Sequence, residues 1–167
     1  MKLTSTFMLV SQLLLINHME IMMNNDKNIE ILNDVTAKLI DSCKGYNMCA
    51  DVAEDNLVLK NQFKQRESAR QQLVNEFKSK VSAMGGEVEN SGTVGGSAHR
   101  AFTQFMSVFK DDTKAAVDAL DTGEEHLAEY IGEKRNESGL HADTTLLLNR
   151  AYASALEGER FADLLDD

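Results

Sequence analysis

The chain contains no proline in its 167 residues, although average usage would supply roughly eight. Proline breaks or kinks helices, because it lacks the backbone N–H and clashes with the preceding turn. Its absence, together with abundant Ala, Leu, Glu, Lys and Gln, predicts long uninterrupted helices. The composition is 43% hydrophobic and 26% charged, which is ordinary for a globular protein. The length favours one domain, with or without an appendage.

The net charge of the chain is −10, from 27 acidic and 17 basic side chains. Nucleic acid and anionic lipid are bound through basic faces that neutralise phosphates. We therefore predict no nucleic-acid partner and no main role at a membrane surface. A protein partner or self-association is the expected interaction, and no cofactor is predicted.

The two cysteines, Cys43 and Cys49, lie in one predicted helix. Their spacing places them about 120° apart around the helix axis and roughly 9 Å apart along it, which is too far for a disulfide. Neither a disulfide scaffold nor a CxxC redox pair is available. Two reduced thiols indicate a cytoplasmic protein.

An apolar run, FMLVSQLLLI, occupies residues 7–16. It is too short to span a bilayer, which needs about 20 residues, and no small-x-small cleavage site follows it. We treat residues 1–28 as an appendage and leave three interpretations open. It is upstream sequence before a true start at Met22 or Met23, a docked or loose helix, or a signal or anchor for export or membrane association.

Four long segments follow in which apolar residues recur every three or four positions, as on the buried face of a helix. The predicted helices span about residues 29–54, 57–84, 111–136 and 140–165. In the first of them the apolar stripe is Leu32, Val35, Leu39, Cys43, Tyr46, Ala50 and Ala53. Tight turns are predicted at residues 54–56 and 136–139. The second helix ends at Gly85 and Gly86, where glycine allows a left-handed cap.

One long connection separates the two pairs of helices. Residues 85–96 contain five glycines and no sustained period, so they form a loop, and residues 97–109 resume a short helical pattern. Asp111 or Asp112 caps the third long helix. Two antiparallel hairpins joined by a long crossover is the connectivity of ferritin-like bundles. We therefore predict an all-α, ferritin-like four-helix bundle over residues 29–167.

Three stretches of sequence resemble a known family. They are LIDSCKGYNMCA in the first helix, MGGEVENSGTVGGSAHRAF across the crossover and TGEEHLAEY in the third helix. They resemble bacterial ferritin-like four-helix-bundle proteins catalogued as a domain of unknown function. The most specific part is a crossover motif of Gly85, Gly86, Gly92, Gly96, His99 and Arg100. The resemblance covers residues 29–165 and implies the fold, a cytoplasmic setting and a stress-related role, but no established activity.

Ferritin-like bundles typically hold two iron or manganese ions with a Glu from each of two helices and a Glu-x-x-His from each of the others. No Glu-x-x-His occurs in this chain. The second helix carries Glu67-x-x-Arg70 instead, and arginine cannot lose its proton to become a ligand. The helical phase also places Gly158 at an inward position of the fourth helix. Three candidate metal ligands are left: Glu67, Glu124 and Glu157.

The same phase turns Arg66 and Arg70 toward the apolar stripe of the second helix, beside Phe63 and Phe77. Because an unpaired buried charge is very costly, both arginines require acidic partners. We predict a core polar network of Tyr46, Arg66, Glu67, Arg70, Glu124 and Glu159.

These patterns favour a non-catalytic bundle that works by interaction or assembly, with an Arg–Glu network in place of a di-metal site. No catalytic and no cofactor-binding residue is predicted. The alternative is a di-iron or di-manganese carboxylate oxidase, or a metal-storage protein, of the same fold.

Overall fold

The structure is a computed structural model that describes residues 3–93, 104, 107–109 and 112–166. Within these residues the chain is all-helical, without a strand, which confirms the all-α part of the predicted fold class. The four long helices are α1 (Leu3–Val52), α2 (Leu57–Ala83), α3 (Thr113–Lys134) and α4 (Ala142–Asp166). No helix in the described part of the chain combines the length and the apolar character that crossing a membrane requires.

α1 begins at Leu3 and runs for 50 residues, so the predicted start near residue 29 was wrong. The physical reason is local, because no proline or glycine interrupts residues 3–44. Side chains 12–24 are exposed, which explains why the buried stripe becomes recognisable only further along the helix. Residues 12–24 therefore continue the helical geometry of the bundle without sharing its core.

Asn25 and Asn28 of α1 bind backbone groups at the two chain turns nearest to them. The Asn28 side chain is fully buried, donates to the carbonyl of Gly139 at 2.9 Å and accepts from the backbone N–H of His141 at 2.9 Å. Asn25 donates to the carbonyl of Met84 at 3.3 Å. These amides satisfy backbone groups at two chain turns, and they mark the level at which the bundle begins.

Side-chain caps precede both α2 and α3; the cap at Asp112 was predicted, whereas the cap at Asn56 was not. Asn56 precedes α2, and its side-chain oxygen accepts from the N–H of Leu59 at 3.1 Å. Asp112 precedes α3 and accepts from the N–H of Ala115 at 2.9 Å. Each cap satisfies an N–H group that has no partner inside its own helix.

The predicted left-handed end of α2 is confirmed at Gly85, whose φ is +81°. The N–H of Gly86 donates to the carbonyl of Val81, and the N–H of Gly85 donates to that of Ser82, both at 3.0 Å. This pair of hydrogen bonds is the Schellman motif, which requires a residue that tolerates positive φ.

The four helices pack as a bundle in which α1 lies against α2 and α3, and α4 lies against α3 and α2. Short turns make α1 antiparallel to α2 and α3 antiparallel to α4. α1 is also antiparallel to α3, because Asp34 contacts Tyr130 while Cys49 contacts Ala116. It follows that α2 and α3 run in the same direction, on opposite corners of the bundle.

The core consists of two apolar clusters with a polar layer between them. One cluster surrounds Leu32 and Leu148, and the other surrounds Phe63 and Phe161. Arg70 lies at the level between the two. All members of the predicted α1 stripe are buried: Leu32, Val35, Leu39, Cys43, Tyr46, Ala50 and Ala53.

The first part of the crossover runs along α1 and is held by its polar side chains. Asn33 donates to the carbonyl of Glu87 at 2.8 Å and accepts from the N–H of Glu89 at 3.0 Å. Asp41 accepts from the N–H of Thr93 at 2.9 Å. These contacts fix the direction in which the chain leaves α2.

Gly92 belongs to this anchored stretch, with a φ of +80°. A β-carbon there would lie 2.7 Å from the Nζ atom of Lys44, so glycine meets both a conformational and a steric need. Of the crossover motif, Gly85, Gly86 and Gly92 are described, whereas Gly96, His99 and Arg100 lie outside the described residues. Of the predicted short helix, residues 104 and 107–109 are described and are helical.

Candidate functional site

The polar layer is built on an ion pair between Arg70 of α2 and Glu124 of α3. The two residues reach across the diagonal of the bundle, with Nη2–Oε2 at 2.6 Å and Nη1–Oε1 at 3.3 Å. The side chains are 2% and 1% exposed, so the pair is excluded from solvent. Two parallel charge-assisted hydrogen bonds of this kind are strong and fix the orientation of both groups.

Two serines add further hydrogen bonds to the ion pair, whereas the buried Nε atom of Arg70 has no hydrogen-bond partner among the described residues. The Ser42 hydroxyl of α1 accepts from Arg70 Nη1 at 2.9 Å and donates to Glu124 Oε1 at 2.6 Å. The backbone carbonyl of Ser154 in α4 accepts from Arg70 Nη2 at 3.1 Å. All four helices therefore contribute to one buried network. A shift of α2 or α3 would leave a buried charge unpaired, whereas a shift of α1 or α4 would remove hydrogen bonds from the pair.

Tyr46 and Gly158 form the wall of the network. Tyr46 is 1% exposed, and its ring centre lies 5.8 Å from the guanidinium carbon of Arg70. Burial and, secondarily, the charge of Glu124 raise the pKa of Tyr46, so its hydroxyl stays protonated. A β-carbon on Gly158 would lie 2.6 Å from the Tyr46 hydroxyl oxygen and 2.7 Å from Glu124 Cδ. Glycine at this inward position makes room for the ion pair.

The other residues of the predicted network do not join it. Arg66 is half-buried; it donates to the backbone carbonyl of Glu157 at 3.3 Å and stacks 4.0 Å from the ring centre of Phe161. Glu67 and Glu159 are half-buried, and within the described residues neither forms an ion pair. The structure thus brings together Tyr46, Arg70 and Glu124 at the bundle centre, and places the other three at its periphery.

The donor set at the centre does not suit a dinuclear metal site. Both carboxylate oxygens of Glu124 accept from Arg70, whose positive charge would repel a metal ion. The other two candidate ligands, Glu67 and Glu157, lie outside the network. Across the described residues, no three His, Cys, Asp or Glu side chains are grouped so that they could hold an ion.

Sequence reasoning missed Ser42, although a signal for it existed. Ser42 stands three residues after Leu39 and four before Tyr46, which is the spacing of the buried stripe. Among the described side chains, only that of Ser42 both accepts a hydrogen bond from Arg70 and donates one to Glu124. A small polar residue on an otherwise apolar stripe therefore indicated a hydrogen-bonding partner.

A cavity of about 250 Å³ lies beside the network, among the described residues of α1 and α3. Ser42 and Glu124 line it, and Gly45 and Gly123 leave space between the two helices. Among the described residues, a β-carbon built on Gly45 would contact only the Leu120 side chain, at 3.7 Å. One built on Gly123 would have no described atom within 4 Å. The two glycines thus open a recess that leads to the acidic end of the ion pair.

Comparison with known protein families matches residues 27–136 to a family described as Domain of unknown function (DUF2383). The match covers more than half of the chain. The chain belongs to the DUF2383 family. No curated protein and no solved structure matches it.

The DUF2383 match includes three of the four elements that meet at the network. Ser42, Tyr46, Arg70 and Glu124 lie inside the matched residues. Gly158 lies beyond them, in α4. The family description assigns no activity, so the function of this DUF2383 protein has to be argued from its own residues.

Both thiols of the DUF2383 domain are buried, and each donates a hydrogen bond to a backbone carbonyl. Cys43 Sγ donates to the carbonyl of Glu67 at 3.9 Å, and Cys49 Sγ donates to that of Ala116 at 3.4 Å. Burial raises the pKa of both thiols to about 12. Since the thiolate is the nucleophile, neither cysteine has the properties of a catalytic or redox-active residue.

We expect the folded protein to resist a colorimetric disulfide reagent at pH 8. Cys43 and Cys49 should react only when the chain opens, because neither is accessible or ionised in the folded state. The same protein in guanidinium chloride serves as the control and should release two equivalents of chromophore. Rapid labelling of either thiol before denaturation would contradict this description of the core.

Proposed function

We propose that this chain is a non-catalytic, ferritin-like four-helix bundle that acts through protein interaction or assembly. In this proposal an Arg–Glu network stands where a di-metal site would be. The observation that carries it is the buried, doubly hydrogen-bonded pair of Arg70 and Glu124 at the centre of the bundle.

The ferritin-like assignment is supported by connectivity. Two antiparallel hairpins, α1–α2 and α3–α4, are joined by a long connection, so that α2 and α3 run parallel on opposite corners. An up-down-up-down bundle would join all its helices by short turns. Residues 86–93 support the crossover further, since they already follow α1 away from the end of α2.

Two observations at the bundle centre support a non-catalytic role. The oxygens of Glu124 are occupied by hydrogen bonds, and the pKa values of Tyr46 and the two buried thiols are raised. Glu124 has its oxygens committed to Arg70 and Ser42, so it is poorly placed to abstract a proton. Tyr46 and the two buried thiols have raised pKa values and stay neutral near pH 7. A general base needs a free acceptor within reach of its substrate, and the described centre offers none.

We also propose a cytoplasmic setting for the protein. Its two cysteines are both free and buried. Proteins of oxidising compartments commonly use their cysteines in disulfides, whereas unpaired thiols are usual in reducing ones.

Metal analysis tests the proposal. Protein purified without chelator, or loaded with Fe(II) or Mn(II) under nitrogen and then desalted, should retain substoichiometric metal by mass spectrometry. The variant Glu124→Gln and the exposed-neighbour control Glu125→Gln should retain the same small amount. Two tightly bound ions per chain, lost in Glu124→Gln but kept in Glu125→Gln, would contradict the proposal and favour the di-metal alternative.

A further inference from the structure

We propose that α1 carries a self-association surface, the apolar tail, formed by residues 12–23, which pairs with the apolar tail of a second copy of this chain. The tail extends α1 beyond the level at which Asn25 and Asn28 meet the rest of the bundle. Its large apolar side chains are 50–68% exposed: Leu13, Leu14, Leu15, Ile16, Met19, Ile21, Met22 and Met23.

The apolar tail is hydrophobic around its whole circumference. Leu13, Leu14, Leu15 and Ile16 are consecutive, and consecutive residues point about 100° apart on a helix. Helices that are apolar on all sides are found buried in larger assemblies. Pairing with a second tail would remove part of this apolar surface from water, which is the main favourable contribution to association.

The charge distribution favours a second copy over a lipid surface. Glu20 is the only charged residue of the tail, whereas the whole chain carries a net charge of −10. An acidic protein is repelled by anionic lipid headgroups. A tail of the same sequence offers an apolar surface of matching length that carries a single charged residue.

The net negative charge of the chain also favours antiparallel over parallel pairing of the two tails. Parallel tails would hold two acidic bundles side by side at one end, whereas antiparallel tails would hold them apart. In an antiparallel pair centred on Asn17, the two copies of Asn25 would lie about 24 Å apart along the axis, which exceeds the screening length of roughly 8 Å at physiological ionic strength. Antiparallel pairing therefore removes most of the repulsion between the bundles.

The polar residues of the tail are compatible with this arrangement. Leu14, Asn17 and Ile21 follow the three-and-four spacing of a coiled-coil seam, with one asparagine among apolar neighbours. A single buried asparagine in such a seam fixes register at some cost in stability. An antiparallel pair centred on Asn17 places the two amides next to each other.

Light scattering coupled to gel filtration tests the proposal on the full chain. We expect the mass of a dimer or a larger oligomer for the wild type, and of a monomer for Leu14→Glu/Ile21→Glu, which places two charges in the seam. The control Gln65→Glu/Gln72→Glu adds the same charge at exposed positions of α2 and should keep the wild-type mass. A monomeric wild type, or an oligomer that persists in the tail variant, would overturn the proposal. A monomer that sediments with phosphatidylcholine vesicles would overturn it in favour of lipid.

Oxidative crosslinking tests the antiparallel direction. Asn17→Cys should form a disulfide-linked dimer, because antiparallel pairing brings the two midpoints together. Ile21→Cys should not, because its two copies lie on the same seam but would be roughly 12 Å apart along the axis, beyond disulfide reach. Crosslinking at both positions would overturn the antiparallel arrangement.

This inference rests on the proposed function, because it names the partner of a bundle that acts by assembly. The two fail separately. A monomeric, metal-free chain would overturn the self-association and leave the Arg–Glu proposal intact, whereas an oligomer loaded with two metal ions per chain would do the reverse.

Discussion

Replacing Glu124 by alanine is expected to lower the free energy of unfolding by roughly 3–5 kcal/mol. The substitution leaves the guanidinium of Arg70 buried, 2% exposed, without its carboxylate partner. Ser42 and the Ser154 carbonyl remain as acceptors, but neither carries a charge. Urea denaturation followed by circular dichroism measures the change.

The matched control for this prediction is Glu125→Ala. Glu125 is the next residue of α3 and is exposed, so its removal should change stability by less than about 0.5 kcal/mol. Equal, small effects for the two variants would show that Arg70 reaches solvent or another acceptor when Glu124 is absent. The buried network would then be ruled out as a main determinant of stability.

Gly158→Ala is expected to destabilise the protein by about 1–3 kcal/mol, although alanine favours helices over glycine. The added methyl group would lie 2.6 Å from the Tyr46 hydroxyl oxygen and 2.7 Å from Glu124 Cδ. Both side chains are at most 1% exposed and held by their surroundings, so neither can move away easily. We expect overpacking to cost more free energy than the gain in helix propensity returns, and the difference is the expected loss of stability.

Gly123→Ala provides a control of opposite sign. Gly123 also lies within a helix, but a β-carbon there meets no atom of the described residues within 4 Å. Alanine should therefore stabilise α3 by roughly 0.5–1 kcal/mol. Thermal melts of both variants distinguish the two environments, and an increase in melting temperature for both would contradict the crowding at Gly158.

Local features were predictable from the sequence because their causes are local. The caps at Asn56 and Asp112 and the left-handed glycine at Gly85 depend on side chains within a few residues of each helix end. The buried stripe of α1 followed from its period alone. The start of α1 was missed because the tail buries no face, so its apolar residues show no amphipathic pattern.

The central site was only partly predictable. The helical period shows which way a side chain points, but not whether its charged end is buried in the core. Arg66 and Arg70 are one turn apart and share a face of α2, yet only Arg70 enters the core. Arg66 has a long side chain whose charged end reaches outward over the ring of Phe161. The inward position of Gly158 followed from the sequence, but its reason, the volume of the ion pair, depends on three other helices.

The coupling energy between Arg70 and Glu124 tests the central claim most directly. It is obtained from the unfolding free energies of the wild type, Arg70→Met, Glu124→Leu and the double variant. We predict that each single change costs roughly 3–5 kcal/mol, whereas the double variant is close to the wild type or more stable, because apolar residues of similar volume replace both charges. Additive losses, with the double variant the least stable of the four, would contradict a buried Arg–Glu pair at the centre of this bundle.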